Sequence, residues 1–500
     1  MASSAPRPAE ADTRTKRTSL RRRTAPQAES ASAPELPQWT VWFVLTLAVA
    51  VAAALRLPFL DHQSLWLDEI YTRDILGEPS FASLWHHIRA TESTPPLFYV
   101  IGWVLGGRSA AAMRLIPALA LIAAVPVGYL AFRRLVGQRA ALVTAAILAV
   151  SPILVSYSMD ARSYGLLVLT ALVSVWAVSE LLASGSRRWL AIWAGSSIAC
   201  VWTHYFGAFV VGAEVLVLLV ALPRSRVQTA CWSVLIAVCA IPLVPLATSQ
   251  SGDQRAEFIA GVPLSSRLSG AVREFAMGPN VPRTWLEAAG LIIFCIAVGL
   301  GVVSAIRTGP GRQALLAIAA LTFGTPLLLA VLGIDDLFYA RNVIAAVPLA
   351  AALAATSLVR LRMAPLVAYL GLAILTSLWV ATNWRYEQPD WRGAITRAEA
   401  TDPSAAVIAL NPFSAPVVRT YLDRRAASAS LVAQQAWIMV PPIRTAGHRG
   451  LGPAPALGLP DFTTLRSLEL HGFRLILVRA PHPTSIAPGT IAGANLFPGR

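Results

Sequence analysis

In "SLWLDEIY" two carboxylates, Asp68 and Glu69, stand side by side just after a long apolar stretch. Other groups able to move protons or hold anions follow at wide spacing. They are Glu92; Asp160, Arg162 and Tyr164 in "YSMDARSY"; His204 and Tyr205 in "THYF"; and Tyr339 and Arg341 in "DDLFYAR". Adjacent residues on a helix point about 100° apart, so Asp68 and Glu69 do not face each other across a scissile bond as a glycosidase pair does. Separate roles suit them. One carboxylate beside a hydroxyl acts as general base, and its neighbour completes the catalytic pair or orients a helix or an arginine. Arg162, His204 and Arg341 have the chemistry to pair with a phosphate, the arginines by parallel hydrogen bonds. Cations with apolar walls fit a phosphate diester carried on a lipid, whereas the chain has no glycine-rich loop for a soluble nucleotide sugar. No His, Asp and Glu group shows ligand spacing, His86 and His87 being adjacent, so no cofactor is expected and a divalent metal, though chemically possible, has no support in the sequence.

These residues need a scaffold, and composition names its class. Of 500 residues, 56% are apolar and 13% charged, with a mean hydropathy of +0.59; a soluble chain carries about a quarter charged residues. The class is an α-helical polytopic membrane protein. About eleven apolar runs approach the length needed to span a bilayer. They lie near 39–57, 112–132, 140–157, 164–183, 189–203, 206–222, 228–247, 285–306, 313–333, 342–359 and 363–382. The four cysteines fall inside apolar runs, which excludes a disulfide framework. A net charge of +15 does not indicate nucleic acid, because the arginines punctuate the runs in small groups: Arg133, Arg134 and Arg139; Arg187 and Arg188; Arg224 and Arg226; Arg307 and Arg312; Arg360 and Arg362. Short loops rich in arginine are cytoplasmic.

Residues 1–38 read as a disordered basic tail on the cytoplasmic side, and 39–57 as a retained anchor rather than a signal peptide. The segment "TPPLFYVIGWVLGG" (94–107) is apolar but short, bounded by Pro95-Pro96 and Gly106-Gly107, and is expected to be re-entrant within a first outer loop, 58–111. With that segment not crossing, every arginine group lies inside and every candidate site residue outside. Residues 383–500 form a small extracytoplasmic α/β domain. "WRGAITRAEA" and "PVVRTYLDRR" read as helices, "AAVIAL" and "RLILVRA" as strands, and the Gly- and Pro-rich stretch 441–460 as loop. This domain is expected to select the acceptor.

In order along the chain, "LWLDE", "ESTPPLFY", "YSMDARSY", "THYF", "FYARNVIAAVPL" and "PDWRGAI" resemble the GT-C glycosyltransferases related to dolichyl-phosphate-mannose protein mannosyltransferases, and most closely their bacterial, aminoarabinose-transferase-like relatives. The resemblance covers most of residues 40–400. It implies a plasma-membrane transferase with a polyprenyl-phosphate sugar donor and an extracytoplasmic protein, polysaccharide or glycolipid acceptor. It further implies inversion at the anomeric carbon, with Asp68 as general base and Glu69 beside it. Arg162, His204 and Arg341 would steady the leaving phosphate, and Glu92, Asp160, Tyr164, Tyr205 and Tyr339 would complete the substrate site. The chain departs from the pattern in having Asp160 where many relatives carry Glu, and Asn342 where many carry Tyr. A flippase of lipid-linked sugars would place polar groups at mid-membrane and show inverted repeats. A lipid-linked glycan ligase would carry a large late outer loop instead of an acidic first loop.

Overall fold

A computed structural model of the chain describes residues 35–499 apart from 252–256, 282–283, 335, 362, 387, 446–447, 453–458 and 492. Asp335 thus lies outside the described residues. Every expected span contains a helix. Among the described residues, six helices are long and apolar enough to cross a membrane, or up to eight if each of two bent pairs is one span. The segment 94–107 holds a nine-residue helix, Leu97–Leu105, closed by Gly106 at φ 73°. At about 1.5 Å per residue it is too short to cross.

Three elements set the rim where the site lies. Helix Ala110–Val136 leaves that rim, Gln138–Val150 and Pro152–Ser158 return to it, and Tyr164–Ser184 leaves again. Arg133 and Arg134 pair with Glu180 at the far end, at 3.1 and 3.2 Å. Arg114, Asp160, Arg162 and Tyr164 therefore share the near end. The returning pair bends by 49°. Pro152 has no N–H to offer the carbonyl of Leu148 four residues back, and Arg56 supplies the missing donors. Its guanidinium reaches the oxygens of Ala149 at 2.7 Å and Leu148 at 3.3 Å from a fully buried position.

Past the last span, strands β1 (Ala406–Leu410), β2 (Leu431–Val440), β3 (Ile443–Thr445), β4 (His448–Gly450), β5 (Thr463–Leu470), β6 (Phe473–Ile486) and β7 (Ala494–Phe497) follow. Five make a mixed sheet in the order β5-β6-β2-β1-β7, with only β1 and β2 parallel. The β3–β4 hairpin occupies part of the stretch expected to be loop. Three-residue strands carry too little period-2 pattern to stand out against the surrounding Gly and Pro. Alternation divides the sheet residues between two cores. Ala406 and Ile408 face one; Val407 and Ala409 face the other, with helices Trp391–Thr401 and Ser414–Leu422. That second core also contains Leu65, Ile70, Leu76, Met113 and Ala161 from the membrane part. The domain and the site helix are therefore packed as one body.

Close packing of the two long rim helices depends on Gly165, where a Cβ would lie 2.8 Å from the carbonyl oxygen of Pro117. Gly165→Ala should destabilise the fold by about 1–3 kcal/mol through overpacking, read as a lowered midpoint of thermal unfolding in detergent.

Candidate active site

The acids of "LWLDE" open a ten-residue helix, Leu67–Leu76, where carboxylates in the first turn favour the positive end of the helix dipole. Glu69 is its anchor. Fully buried, its carboxylate receives Nε and Nη2 of Arg114 at 2.6 and 2.5 Å, and the Ala161 N–H at 2.9 Å. It also reaches back to the Trp66 N–H at 3.4 Å, closing the helix start. Arg114, 1% exposed, directs its remaining donors to the carbonyls of Leu60, Gln63 and Ser64 at 2.9, 3.0 and 3.1 Å. Thr72 accepts no less a part: its hydroxyl donates to the Ala161 carbonyl at 3.1 Å. Both backbone groups of Ala161 are thus held by the helix. With every lone pair directed inward, Glu69 is engaged as the orienting member of the two alternatives read from the sequence, bound to an arginine and to the helix start.

The loop so held carries Asp160 and Arg162. Asp160 accepts from the Trp66 indole at 3.2 Å, which draws Trp66 into the site rather than into an interfacial belt. Burial first, then the negative charge of Glu69, raises the Asp160 carboxyl to about 7. Arg162 meets Glu92 through two nitrogens, at 2.9 and 2.8 Å, and lies 5.9 Å from the centroid of the Tyr99 ring. Glu92 in turn accepts from the Tyr99 hydroxyl at 2.6 Å. Arg162 and Glu92 thus clamp the short helix Leu97–Leu105 to the rim, and the fork of Arg162 is already occupied by a carboxylate.

Rings line the next sector. Tyr157 and Tyr164 meet at 4.9 Å between centroids, Tyr164 and His204 at 5.7 Å. The Phe206 N–H donates to His204 Nδ1 at 3.2 Å, which leaves the proton on Nε2. Burial, then the charges of Arg341 and Arg162, lowers the imidazole to about 3. His204 is therefore neutral, able to donate one hydrogen bond but not the positive charge expected of it. Tyr205 points elsewhere, donating to Gln250 at 2.8 Å, so it braces the rim instead of lining the site. Arg341 sits half-buried over the Tyr339 ring at 5.6 Å, within the electrostatic reach of Asp68 and Tyr164.

Asp68 differs from the other three acids. It is half-buried, and its carboxylate makes no hydrogen bond or ion pair among the described residues, although its charge acts on Asp160, Arg162, Tyr164 and Arg341. Two guanidinium groups, those of Arg162 and Arg341, lie within its field without bonding to it.

Residues 93–248 match the family model for dolichyl-phosphate-mannose-protein mannosyltransferase. That segment includes Asp160, Arg162, Tyr164, His204 and Tyr205; Asp68 precedes it. By sequence, no curated protein matches the chain. Among solved structures, ArnT from Cupriavidus metallidurans bound to undecaprenyl phosphate aligns over 89% of this chain and 99% of that one, with a TM-score of 0.55 at 14% identity. The chain has the GT-C fold. Archaeoglobus fulgidus oligosaccharyltransferase in complex with zinc and sulfate gives a TM-score of 0.45 at 15% identity, over 72% of this chain; the chain spans 55% of that protein's length. At that score the second likeness adds nothing to the first. The GT-C assignment agrees with the order of motifs read from the sequence, and the helices place this chain among membrane proteins.

Arg114, Tyr99, Ser64 and the domain residues Asp390 and Tyr421 were not singled out by sequence, yet they fix the site. Ser64 donates to Asp390 at 2.8 Å, and the Leu65 N–H to the Tyr421 hydroxyl at 2.6 Å. A lone arginine within an apolar run was a usable signal for Arg114, since ionisable groups at such positions have a partner or a function.

Two outcomes follow. Arg114→Leu leaves the Glu69 charge buried and unpaired, and should cost about 3–5 kcal/mol; folded yield and thermal midpoint should fall far more than for Arg133→Leu at the opposite rim. Asp160 has the second signature. With the folded group raised from 3.8 to about 7, its contribution is greatest below the unfolded value and is lost as pH rises through about 7. The wild-type thermal midpoint should therefore fall over that range, and Asp160→Asn should flatten this part of the profile.

Proposed function

We propose that the chain is an inverting glycosyltransferase that moves a sugar from a polyprenyl-phosphate donor to an acceptor hydroxyl at this rim. The observation that carries the reading is the state of Asp68: a carboxylate with no bonded partner among the described residues, at the mouth of a site whose other acids are engaged. In this reading Asp68 takes the proton of the acceptor hydroxyl as its oxygen attacks C1 of the sugar. The bond from C1 to the phosphate oxygen breaks on the opposite face, giving inversion. A phosphate ester leaves as an anion, so no strong general acid is needed. Arg341 balances its charge and neutral His204 offers a hydrogen bond from Nε2. The printed description of one matching structure, ArnT with undecaprenyl phosphate, supports a polyprenyl-phosphate ligand in this fold. The family-model match supports a phosphate-linked sugar donor. Placing the rim outside the cytoplasm rests on the arginine groups at the other end of the bundle.

Asp160 supports a second assignment of the base, because a carboxyl near 7 is well matched to proton transfer. Its bond to Trp66 favours a holding role. The two are separated by substitution. Asp68→Asn should insert and unfold normally, still bind polyprenyl phosphate, and lose transfer by between about a hundredfold and ten-thousandfold. Asp160→Asn should retain measurable transfer. Full transfer by Asp68→Asn, scored by mass analysis of envelope glycans in a complemented deletion strain, would remove the reading.

A further inference from the structure

Where the C-terminal domain meets the first loop there is a cavity of about 580 Å³ lined by His62, Asp390, Arg392, Thr396, Arg397 and Leu470, among others. It runs along one face of helix Trp391–Thr401, since positions 393, 396, 397 and 400 recur at helical spacing. Its position follows from bonds already in place. Arg392 bridges to the first loop through the carbonyls of Asp61 and His62, at 2.8 and 3.2 Å, and the Asp61 carboxylate at 3.4 Å. Ser64 accepts from the Arg392 N–H at 3.1 Å and donates to Asp390. Through Ser64, bonded to both Asp390 and Arg392, the cavity is tied to the first loop that leads into the helix of Asp68.

The charges in the cavity are unevenly satisfied. Asp390 receives Ser64, the Gly393 N–H at 2.9 Å and His471 Nδ1 at 2.9 Å. Asp61 is paired with Arg392. Arg397 is exposed, and its guanidinium makes no hydrogen bond or ion pair among the described residues; Thr396 also lines the cavity. Both carboxylates are engaged and one guanidinium is left over, which selects an anion. Next to the lining residue Leu470, His471 lies flat on Trp384, with centroids 6.3 Å apart and planes at 24°. Trp384 is covered by His471 and has Arg385 over its ring at 5.6 Å, so the half-exposed His471 is the ring beside the cavity on which a sugar could pack its C–H face.

We propose that this cavity binds an acceptor carbohydrate that carries an anionic group, phosphate or carboxylate, and that Arg397 is the residue that holds it. The proposal rests on the transferase reading for the word acceptor and on the cavity alone for the binding.

Its test uses the full chain in lipid nanodiscs and three short oligosaccharides of equal length: a phosphorylated mannan fragment, an oligogalacturonate and neutral oligomannose. Equilibrium binding is measured for each, with inorganic phosphate as competitor and polyprenyl-phosphate binding measured in parallel. At least one anionic oligosaccharide should bind saturably and more tightly than neutral oligomannose, and which one binds separates phosphate from carboxylate. Arg397→Glu should weaken that binding by about tenfold or more and leave polyprenyl-phosphate binding unchanged. Equal affinity for the neutral sugar, undiminished binding by Arg397→Glu, or full displacement by inorganic phosphate at the affinity of the sugar itself would each overturn the proposal. If Asp68→Asn keeps full transfer while Arg397→Glu loses the anionic sugar, the transferase mechanism falls and the binding site stands.

Discussion

The Glu69–Arg114 pair is the constraint from which the rest of the site follows. A carboxylate and a guanidinium that are both shut off from water are stable only with excellent geometry and complete hydrogen bonding. Here the arginine's outer nitrogens take three carbonyls of the first loop, and the carboxylate takes two backbone N–H groups from different segments. The ion pair therefore joins the first loop, the rim helix, the second span and the loop of residues 159–163. Every one of those segments is irregular or newly starting at the rim, where helix backbone bonding gives no help. Asp68 inherits its position from this junction, since it precedes Glu69 on a helix that cannot rotate without breaking it.

Around this junction the polar residues divide into those that hold and those that remain accessible. Glu92 with Arg162, Asp160 with Trp66, and Tyr205 with Gln250 hold neighbouring segments together. Asp68 is the acid left without a bonded partner among the described residues, within the field of the half-buried Arg341. The split has an electrostatic logic. Four carboxylates near one another would repel; two are neutralised by bidentate arginines, and a third is raised towards the protonated form by burial and by its neighbours. The field left over is that of Asp68 and Arg341, one negative and one positive, at the edge of an aromatic wall.

Much of this was legible in the sequence where chemistry and strings coincide. Asp68, Asp160, Arg162, Tyr164, His204 and Arg341 were each singled out, and the structure brings them to one rim. Which acid holds and which is open was not legible, because that depends on partners 45 to 94 positions away. His204 was read from residue type as a partner for a phosphate; burial between Tyr164 and Phe206 leaves it a neutral one. The helices of the C-terminal domain and its strands β1 and β6 were read correctly from periodicity. Its attachment through Ser64 and Asp390 spans 326 positions, beyond any local pattern.

The shared core between the sheet and the rim helix has a consequence for biosynthesis. Leu65, Ile70 and Leu76 are translated early, yet Phe473 and Phe497, which share their core, are translated only after every helix of the bundle. Non-local closure of this kind delays the final arrangement until the distant strands arrive. A nascent chain therefore cannot complete the surroundings of the helix Leu67–Leu76 before translation has passed β7.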